Sequence, residues 1–380
     1  MKTRLLVCWC ALLVAGIVVT GCGFFNNTPG STTPGTTGFV YVLNSGGTSG
    51  VGSVSGYAAN PATGVLSSLV FSPFVVASQV STPNSMSGDA FGRYLYVSSN
   101  VGGGGINGFL ISQNTNTAGQ LSSVGVTATK AAVVALVVDP AGGAVYAVEA
   151  GPQVEGFSIA SGTGVLTAQA NSPYSLGSGT PTSIAIAPSG GFLFVGMNNG
   201  FIVTVPINSD GILNTTNIVR TAPLAGIINV AALTVDPTVR FLYAVDGAQY
   251  ISLFAINATT GALTAIQATP VSAGAGPVSV GVAAVTGVPT FLYTANDGGT
   301  LGAFIISSSG TLSLVSGSPF SSSVTPLALA VDPSGAFLYV VGSGGSNTVL
   351  SFVIVGGVLQ APSTTNPPTG TSPTSVVAVP

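Results

Sequence analysis

A run of four consecutive apolar residues recurs along the chain, with an aromatic residue at its third position. Successive third-position aromatics are 46 to 55 residues apart, and the run is most complete at Phe337–Val340. A strand that is apolar at consecutive positions is buried on both faces, unlike the alternating strand of a half-exposed sheet. The seven copies of this tetrad begin at Phe39, Tyr94, Ala144, Phe192, Phe241, Phe291 and Phe337.

A second motif, Gly-x-Leu, follows each tetrad once. Glycine and proline punctuate the short apolar runs around both motifs, and no segment keeps a helical period. Two motifs that repeat seven times in step, with about four strands per unit, are typical of a β-propeller. We therefore predict an all-β fold, a seven-bladed β-propeller with four-stranded antiparallel blades. The glycines of the second motif are Gly64, Gly119, Gly164, Gly211, Gly261, Gly310 and Gly357.

The end of the chain predicts how the ring closes. The segment 373–380 matches the segment 181–188, which precedes the fourth tetrad and has the pattern of an inner strand. The first tetrad has no such segment before it. We therefore expect the C-terminal strand to become the inner strand of the first blade, which covers both sheet edges.

The N-terminus has the pattern of a bacterial lipoprotein signal. Lys2 and Arg4 precede an apolar run from Leu5 to Val19, which is short for a membrane span but suits a signal peptide. The small residues before Cys22 resemble a lipobox. We expect residues 1–21 to be removed, Cys22 to be lipidated, residues 22–37 to form a flexible tether and residues 38–380 to form the propeller. This predicts an exported protein anchored to the cell envelope, with the outer membrane favoured by Gly23 after the cysteine.

The amino-acid composition limits the kinds of partner that the protein can bind. Only 4% of the residues are charged, the formal net charge is −3, and the chain contains six Lys and Arg and no His. Nucleic-acid binding needs clustered basic residues, so we expect no nucleic-acid partner. The body of the chain has no Cys, which leaves neither a disulfide nor a thiol metal ligand there. The expected partners are the membrane, through the lipid, and a carbohydrate or protein ligand.

The repeats resemble a known family. The phrase Asp-Pro-Ser-Gly-x-Phe-Leu-Tyr-Val at 332–340 is similar to the repeats of the lactonase (6-phosphogluconolactonase-like) propellers and of the related YVTN-type propellers. The segments at 160–167 and 317–320 carry the same resemblance, which covers about residues 39–380. It implies a seven-bladed ring and lactone hydrolysis that uses a polar cluster including His. Because this chain lacks His, it departs from that pattern, and the Ser-His and Cys-His nucleophile systems are also excluded.

The remaining candidate functional residues are polar side chains that follow the tetrads. Three aspartates, Asp139, Asp236 and Asp332, open Asp-Pro turns, where we expect structural roles. Another set of polar residues follows the tetrad aromatic by three or four positions. We expect this set to line one mouth of the channel, where carboxylates and amides suit a sugar, a lactone or, as a possible cofactor, Ca²⁺. The candidate ligand site consists of Asn44, Glu149, Asn198, Asp246, Asn296 and Asp297.

Three functions remain open at this point. The composition favours an envelope-anchored binding or scaffold module for carbohydrate or cell-surface partners rather than an enzyme. The family resemblance instead implies a sugar-lactone hydrolase, with Glu149 or Asp246 as base and Arg220 for an anion. The nearly uncharged Thr-, Ser- and Gly-rich surface is also compatible with a structural surface-layer component.

Overall fold

The chain forms a ring of seven antiparallel sheets, as the repeats predict. The computed structural model describes residues 38–46, 52–100, 104–284, 290–344, 347–360 and 366–380. The inner strands of neighbouring sheets contact each other in cyclic order, and the last contacts the first. The prediction of a seven-bladed β-propeller is therefore confirmed. The expected signal peptide, Cys22 and the tether lie outside the described residues.

The blades follow one another along the sequence. Blades 1 to 3 contain β1 (Gly38–Asn44), β2 (Ser53–Ala59), β3 (Leu66–Ser68) and β4 (Phe74–Val75); β5 (Pro83–Gly88), β6 (Tyr94–Ser99), β7 (Gly105–Ile111) and β8 (Leu121–Thr127); and β9 (Val133–Val138), β10 (Ala144–Glu149), β11 (Gln153–Ile159), β12 (Leu166–Ala168) and β13 (Tyr174–Ser175). Blades 4 and 5 contain β14 (Pro181–Ile186), β15 (Phe192–Met197), β16 (Ile202–Pro206) and β17 (Val219–Thr221); and β18 (Ala232–Val235), β19 (Phe241–Val245), β20 (Tyr250–Ile256), β21 (Leu263–Ala265) and β22 (Val271–Ser272). Blades 6 and 7 contain β23 (Pro277–Ala283), β24 (Thr290–Asn296), β25 (Thr300–Ile306), β26 (Leu312–Leu314) and β27 (Phe320–Ser321); and β28 (Thr325–Val331), β29 (Phe337–Ser343), β30 (Val349–Val355) and β31 (Val358–Leu359).

The C-terminal strand closes the ring. The strand β32 (Pro373–Val379) pairs with β1 and takes the inner position of blade 1, with Tyr41 opposite Val377. Blade 1 is thus built from both ends of the chain, as the sequence predicts. Among the described residues the structure contains one short 3-10 turn, Thr215–Asn217, and no helix that is long and apolar enough to cross a membrane.

Four blades have an outer edge that the four-strand prediction does not describe fully. In blades 1, 3, 5 and 6 a short second segment (β4, β13, β22 or β27) pairs with the third strand beyond the end of the outer strand. A turn that contains proline separates the two pieces, for example at Pro173. Since proline cannot donate to a sheet ladder, it interrupts the outer edge.

The two repeated motifs meet between neighbouring blades. The third tetrad residue is buried in every blade, and in five blades its tyrosine hydroxyl donates to the carbonyl of the Gly-x-Leu glycine in the next blade. The first bond of this kind joins Tyr41 Oη to Gly119 O over 2.6 Å. A buried hydroxyl that finds a carbonyl in the next blade fixes the position of that blade as well as filling the core. The other four bonds join Tyr96 to Gly164, Tyr146 to Gly211, Tyr243 to Gly310 and Tyr293 to Gly357.

The two rims of the ring carry different loops. The upper rim carries the loops between second and third strands and the connections from one blade to the next. The lower rim carries the turns between first and second strands, including the Asp-Pro turns. There Asp236 accepts backbone N–H groups of Arg240 and Phe241, and Asp332 accepts that of Phe337, as expected for structural aspartates.

Candidate functional site

The upper rim holds the predicted ligand residues, but the strands direct most of their side chains into the blades. Asn44, Glu149, Asp246 and Asn296 each follow the tetrad aromatic by three positions, at or just after the end of the second strand. All four are buried. The same position is occupied by Ser99 in blade 2 and by Met197 in blade 4.

The two amides at this position bind backbone around the loops of their own blades. Asn296 Nδ2 donates to Ala273 O over 2.9 Å, and Ala273 lies in the connection that enters blade 6. Asn44 Nδ2 donates to Ser53 O over 3.3 Å and to the side-chain Ser55 Oγ over 3.1 Å. Both side chains therefore have structural partners, although neither Asn44 Oδ1 nor Asn296 Oδ1 has a hydrogen-bond partner among the described residues.

The remaining rim residues in blades 4 to 6 are also tied to nearby backbone. Asp246 Oδ1 accepts the N–H groups of Ala248, Gln249 and Tyr250, each over 2.9 Å, and so closes its own loop. Asn198 is exposed, and its Oδ1 accepts the Thr180 N–H over 2.9 Å. Asp297 is exposed beside the connection into blade 6, where its backbone N–H donates to Gly276 O.

Glu149 differs from these residues because a second carboxyl lies beside it. Ala147 pairs with Glu155 across β10 and β11, so Glu149 and Glu155 emerge on the same face of blade 3. That face packs on blade 2. Both carboxyls are fully buried, and the Lys130 N–H donates to Glu149 Oε1 over 3.0 Å and to Glu155 Oε2 over 3.1 Å.

The environment of this pair favours a protonated Glu149. Burial raises the pKa of Glu149 to about 7, and the adjacent Glu155 carboxyl adds to the rise through a hydrogen bond and its like charge. The N–H groups of Ala131 and Lys130 act in the opposite direction. Glu149 Oε2 has no hydrogen-bond partner among the described residues. A proton on Glu149 would give this carboxyl a donor for the adjacent Glu155 carboxyl, in keeping with the raised pKa of Glu149.

Arg220 is placed apart from Glu149. It lies on the outer strand β17 of blade 4, and its guanidinium donates to Leu176 O over 2.6 Å and to Ser178 O over 2.9 Å. The same group stacks on the Phe201 ring, 5.0 Å from its centroid. Glu149 faces blade 2, whereas Arg220 bridges blades 3 and 4. The arrangement therefore does not pair this base with this cation.

The predicted rim residues share one end of the ring without forming a carboxylate cluster. Within the described part of the chain, no group of three or more acidic, His or Cys side chains could hold a metal ion. Glu155, the buried neighbour of Glu149, was not among the residues predicted for the ligand site. Its signal was present in the sequence, because the only two Glu residues are six positions apart on two strands that a short loop joins.

Comparison with known proteins agrees with the fold and the repeats. The profile of the family described as lactonase, 7-bladed β-propeller, matches residues 94–278. Between residues 94 and 278 the repeats therefore match those of the lactonase propellers. This match begins at the tetrad of blade 2 and includes the Glu149–Glu155 pair. No curated protein matches the sequence.

Several solved structures share this lactonase-type architecture. A candidate 6-phosphogluconolactonase from Bacteroides uniformis ATCC 8492 superposes with a TM-score of 0.75 at 17% identity, over 90% of this chain and 99% of that one. A candidate 6-phosphogluconolactonase from Bacteroides fragilis NCTC 9343 gives 0.72 at 19% identity, over 93% and 100%. The periplasmic gluconolactonase PpgL of Pseudomonas aeruginosa gives 0.67 at 19% identity, over 90% and 99%. At these identities the likeness is one of fold.

Proposed function

We propose that this protein is a sugar-lactone hydrolase whose proton-transferring group is the Glu149–Glu155 pair. The observation that carries the proposal is a buried pair of carboxyls in which the pKa of Glu149 is raised to about 7. A group with a pKa near the working pH is suited to general acid–base catalysis. The family match and the names of the similar structures support a lactone as substrate.

The proposed reaction needs one base and one proton donor. Glu149 as carboxylate takes a proton from a water molecule, whose oxygen bonds to the lactone carbonyl carbon. The ring C–O bond then breaks, and the ring oxygen takes up that proton to give the open hydroxy acid. In this scheme the pair replaces the His of the family pattern. Since Lys130 and Ala131 cover both carboxyls, the substrate reaches them only when this loop moves.

A pH-stat assay with sugar lactones, phosphorylated and not, tests the proposal. We expect hydrolysis above the buffer rate, with activity rising through about pH 7 as Glu149 ionises. Glu149→Gln and Glu155→Gln should lose activity, whereas Asp246→Asn, the matched position in blade 5, should retain it. Melting temperatures of all three variants separate lost chemistry from lost folding. No lactone hydrolysis by the folded parent protein would refute the proposal.

The second candidate is a binding or scaffold module for carbohydrate or cell-surface partners. Complete burial of Glu149 and Glu155 favours it, since neither carboxyl contacts solvent in the closed loop arrangement. In that case sugar lactones or polyols raise the melting temperature without turnover. Exposed Asn198 and Asp297 are then the rim side chains that would contact the ligand, and their Ala variants would reduce the shift.

We also propose that the propeller is exported and anchored through a lipid on Cys22. The order of the basic residues, the apolar run and Cys22 supports this assignment. Metabolic labelling with a fatty acid should label the parent chain and not Cys22→Ser, and the variant should leave the membrane fraction.

A further inference from the structure

In blades 1 to 3, one position on the third strand holds the connection that enters the blade. Its residue lies opposite the one that follows the tetrad aromatic. In each blade this side chain is buried and accepts a backbone N–H of that connection, which fixes the course of the connection over the upper rim. The pairs are Ser55 with Gly370 over 3.2 Å, Asn107 with Ala77 over 2.9 Å and Glu155 with Lys130 over 3.1 Å.

Blade 3 differs from blades 1 and 2 in the chemistry of the acceptor. A serine hydroxyl and an asparagine amide do not ionise between acid and neutral pH, whereas Glu155 is a carboxylic acid. A second carboxylic acid supports it, since Glu149 Oε1 accepts the N–H groups of Lys130 and Ala131, each over 3.0 Å. Of these three connections, the one that enters blade 3 is therefore held by groups that titrate.

The connection 128–132 forms a thin cover over the two carboxyls. Lys130 is exposed and Ala131 is half-buried, whereas Glu149 and Glu155 beneath them are fully buried. The cover joins the end of β8 to the start of β9, so it can move without disturbing the ladder of either strand. Its closed position leaves no room on the side of Gly104, where an added Cβ would clash with the carbonyl oxygen of Ala131.

The charge on Glu149 is unfavourable while this cover is closed. Burial raises the pKa of Glu149 to about 7, the nearby Glu155 adds to the rise, and the N–H groups of the connection oppose it. Lys130 is the exposed charged residue of the connection, and β9 has no titratable residue. On the facing side of blade 2 the titratable groups are Tyr94 and Tyr96, whose hydroxyls bond the backbone of the Gly-x-Leu turn of blade 3.

We propose that the connection 128–132 is a pH-operated latch, which closes over the carboxyl pair while Glu149 is protonated and opens when Glu149 ionises. In the closed latch a protonated Glu149 donates to Glu155, whereas an ionised Glu149 faces a second carboxyl without water. Opening hydrates both groups. The latch controls access to the pair whichever ligand the pair serves, so this inference does not require lactone hydrolysis.

The direction of the pH effect follows from linkage. The closed latch binds the Glu149 proton more tightly than the open, hydrated latch does, so closure is fully favoured below about pH 4.5, the ordinary pKa of this group. That advantage is lost as pH rises through about 7. The opening equilibrium should therefore rise by about tenfold per pH unit between these limits and level off above them.

Hydrogen–deuterium exchange of the full chain measures this opening at single amides. The Lys130 and Ala131 amides report from the latch. The Ala77 amide is the matched control, because the neutral Asn107 holds it in the preceding connection. Exchange rates are divided by the intrinsic rate at each pH, so that the quotient reports opening rather than base catalysis of exchange.

We expect the protection of the latch amides to fall at least about tenfold from about pH 5 to about pH 7, while that of Ala77 changes less than about twofold. Glu149→Gln keeps an acceptor oxygen for both N–H groups but cannot ionise, so its latch should stay protected over the whole range. Gly104→Ala should leave the latch unprotected at both pH values, because the added Cβ displaces Ala131. Melting temperatures identify any variant that has lost the fold.

Three results would overturn the latch. Constant protection of Lys130 and Ala131 in the parent chain would show that ionisation does not open the connection. An equal fall at Ala77 would assign the opening to the whole ring. An unchanged pH dependence in Glu149→Gln would assign the trigger to another group. Since no lactone is present in this measurement, a chain that exchanges as expected but hydrolyses no lactone refutes the proposed hydrolase and retains the latch.

Discussion

Blades 4 and 7 donate a hydrogen bond to the glycine carbonyl of the next blade from a different side chain than the other five blades do. In blades 1, 2, 3, 5 and 6 the tetrad tyrosine donates to the next blade's glycine carbonyl. Blade 4 has Phe194 at that position, which has no hydroxyl, and Thr204 Oγ1 on the neighbouring strand donates to Gly261 O over 3.1 Å instead. In blade 7 Ser351 Oγ donates to Gly64 O over 2.7 Å.

The pairing of the second and third strands explains why Thr204 and Ser351 can replace the tyrosine hydroxyl. Thr204 lies directly opposite Phe194, and Ser351 lies directly opposite Tyr339. A hydroxyl on the third strand therefore reaches the same carbonyl as the tyrosine of the second strand. What the interface requires is a donor for a buried carbonyl, since an unpaired one costs about 1–3 kcal/mol. The aromatic ring supplies packing, which Phe194 provides equally well.

The glycine side of the contact offers the sharpest test of this comparison. Gly261 and Gly211 both have positive φ, so an added Cβ is strained at either. At Gly261 that Cβ would also lie 2.5 Å from the Phe192 ring, whereas at Gly211 the nearest atom is 3.7 Å away on Ala144. We expect Gly261→Ala to cost about 3 kcal/mol and Gly211→Ala about 1 kcal/mol in free energy of unfolding.

Chemical denaturation of both variants measures the difference. Equal losses would show that backbone strain alone decides the cost and that the tetrad ring does not constrain the next blade. In a chain with Phe192→Ala, the excess cost of Gly261→Ala should decrease, and the part that remains reports the Thr204 methyl group, which lies 2.6 Å from the added Cβ.

These contacts also show which features of the fold could be predicted from the sequence and which could not. Consecutive apolar tetrads and Gly-x-Leu motifs predict seven blades, and the likeness of 373–380 to 181–188 predicts the closure. That the two motifs touch across blades was not predictable, because periodicity gives strand positions and not the partner of a hydroxyl. For the same reason the sequence predicts Asn44, Asn296 and Asp246 as rim residues but not the hydrogen bonds that hold their side chains within the blade or its loop.

Blade 3 differs from the other blades in a second way, which predicts a pH effect. Glu149 has a buried carboxyl neighbour, which Asn44, Asp246 and Asn296 lack among the described residues, and its pKa is raised from 4.5 to about 7. The folded state then holds a proton that the unfolded state releases. The stability that Glu149 contributes is therefore fully present below about pH 4.5 and is lost as pH rises through about 7. We expect the Glu149 contribution to decrease by about 2 kcal/mol between about pH 5 and about pH 8.

Unfolding of the parent protein and of Glu149→Gln across this range isolates the effect. Burial also raises the pKa of Asp139, and that contribution remains in both proteins, so the difference between the two curves reports the pair. Parallel curves would mean that the pKa of Glu149 is the same in the folded and unfolded states. Such a result would also remove the support for Glu149 as a base with a pKa near neutrality.

The smallest expected change in the free energy of unfolding concerns the tetrad tyrosines of blades 7 and 5. Tyr339 Oη is buried without a hydrogen-bond partner among the described residues, and in this blade Ser351 Oγ donates to the Gly64 carbonyl. Tyr243 Oη donates to Gly310 O over 3.0 Å. We expect Tyr243→Phe to cost about 1 kcal/mol and Tyr339→Phe to be neutral or slightly stabilising, as measured by urea denaturation.

Ser351→Ala completes the test, since it frees the Gly64 carbonyl beside an unused hydroxyl. If Tyr339 then donates to Gly64, as its counterparts in five blades do, the loss is well below 1 kcal/mol. In the double variant Ser351→Ala, Tyr339→Phe no donor remains, and the loss should exceed the sum of the single losses. Additive losses would show that Tyr339 cannot reach Gly64, so that blade 7 depends on Ser351 alone to hold blade 1 at the closure of the ring.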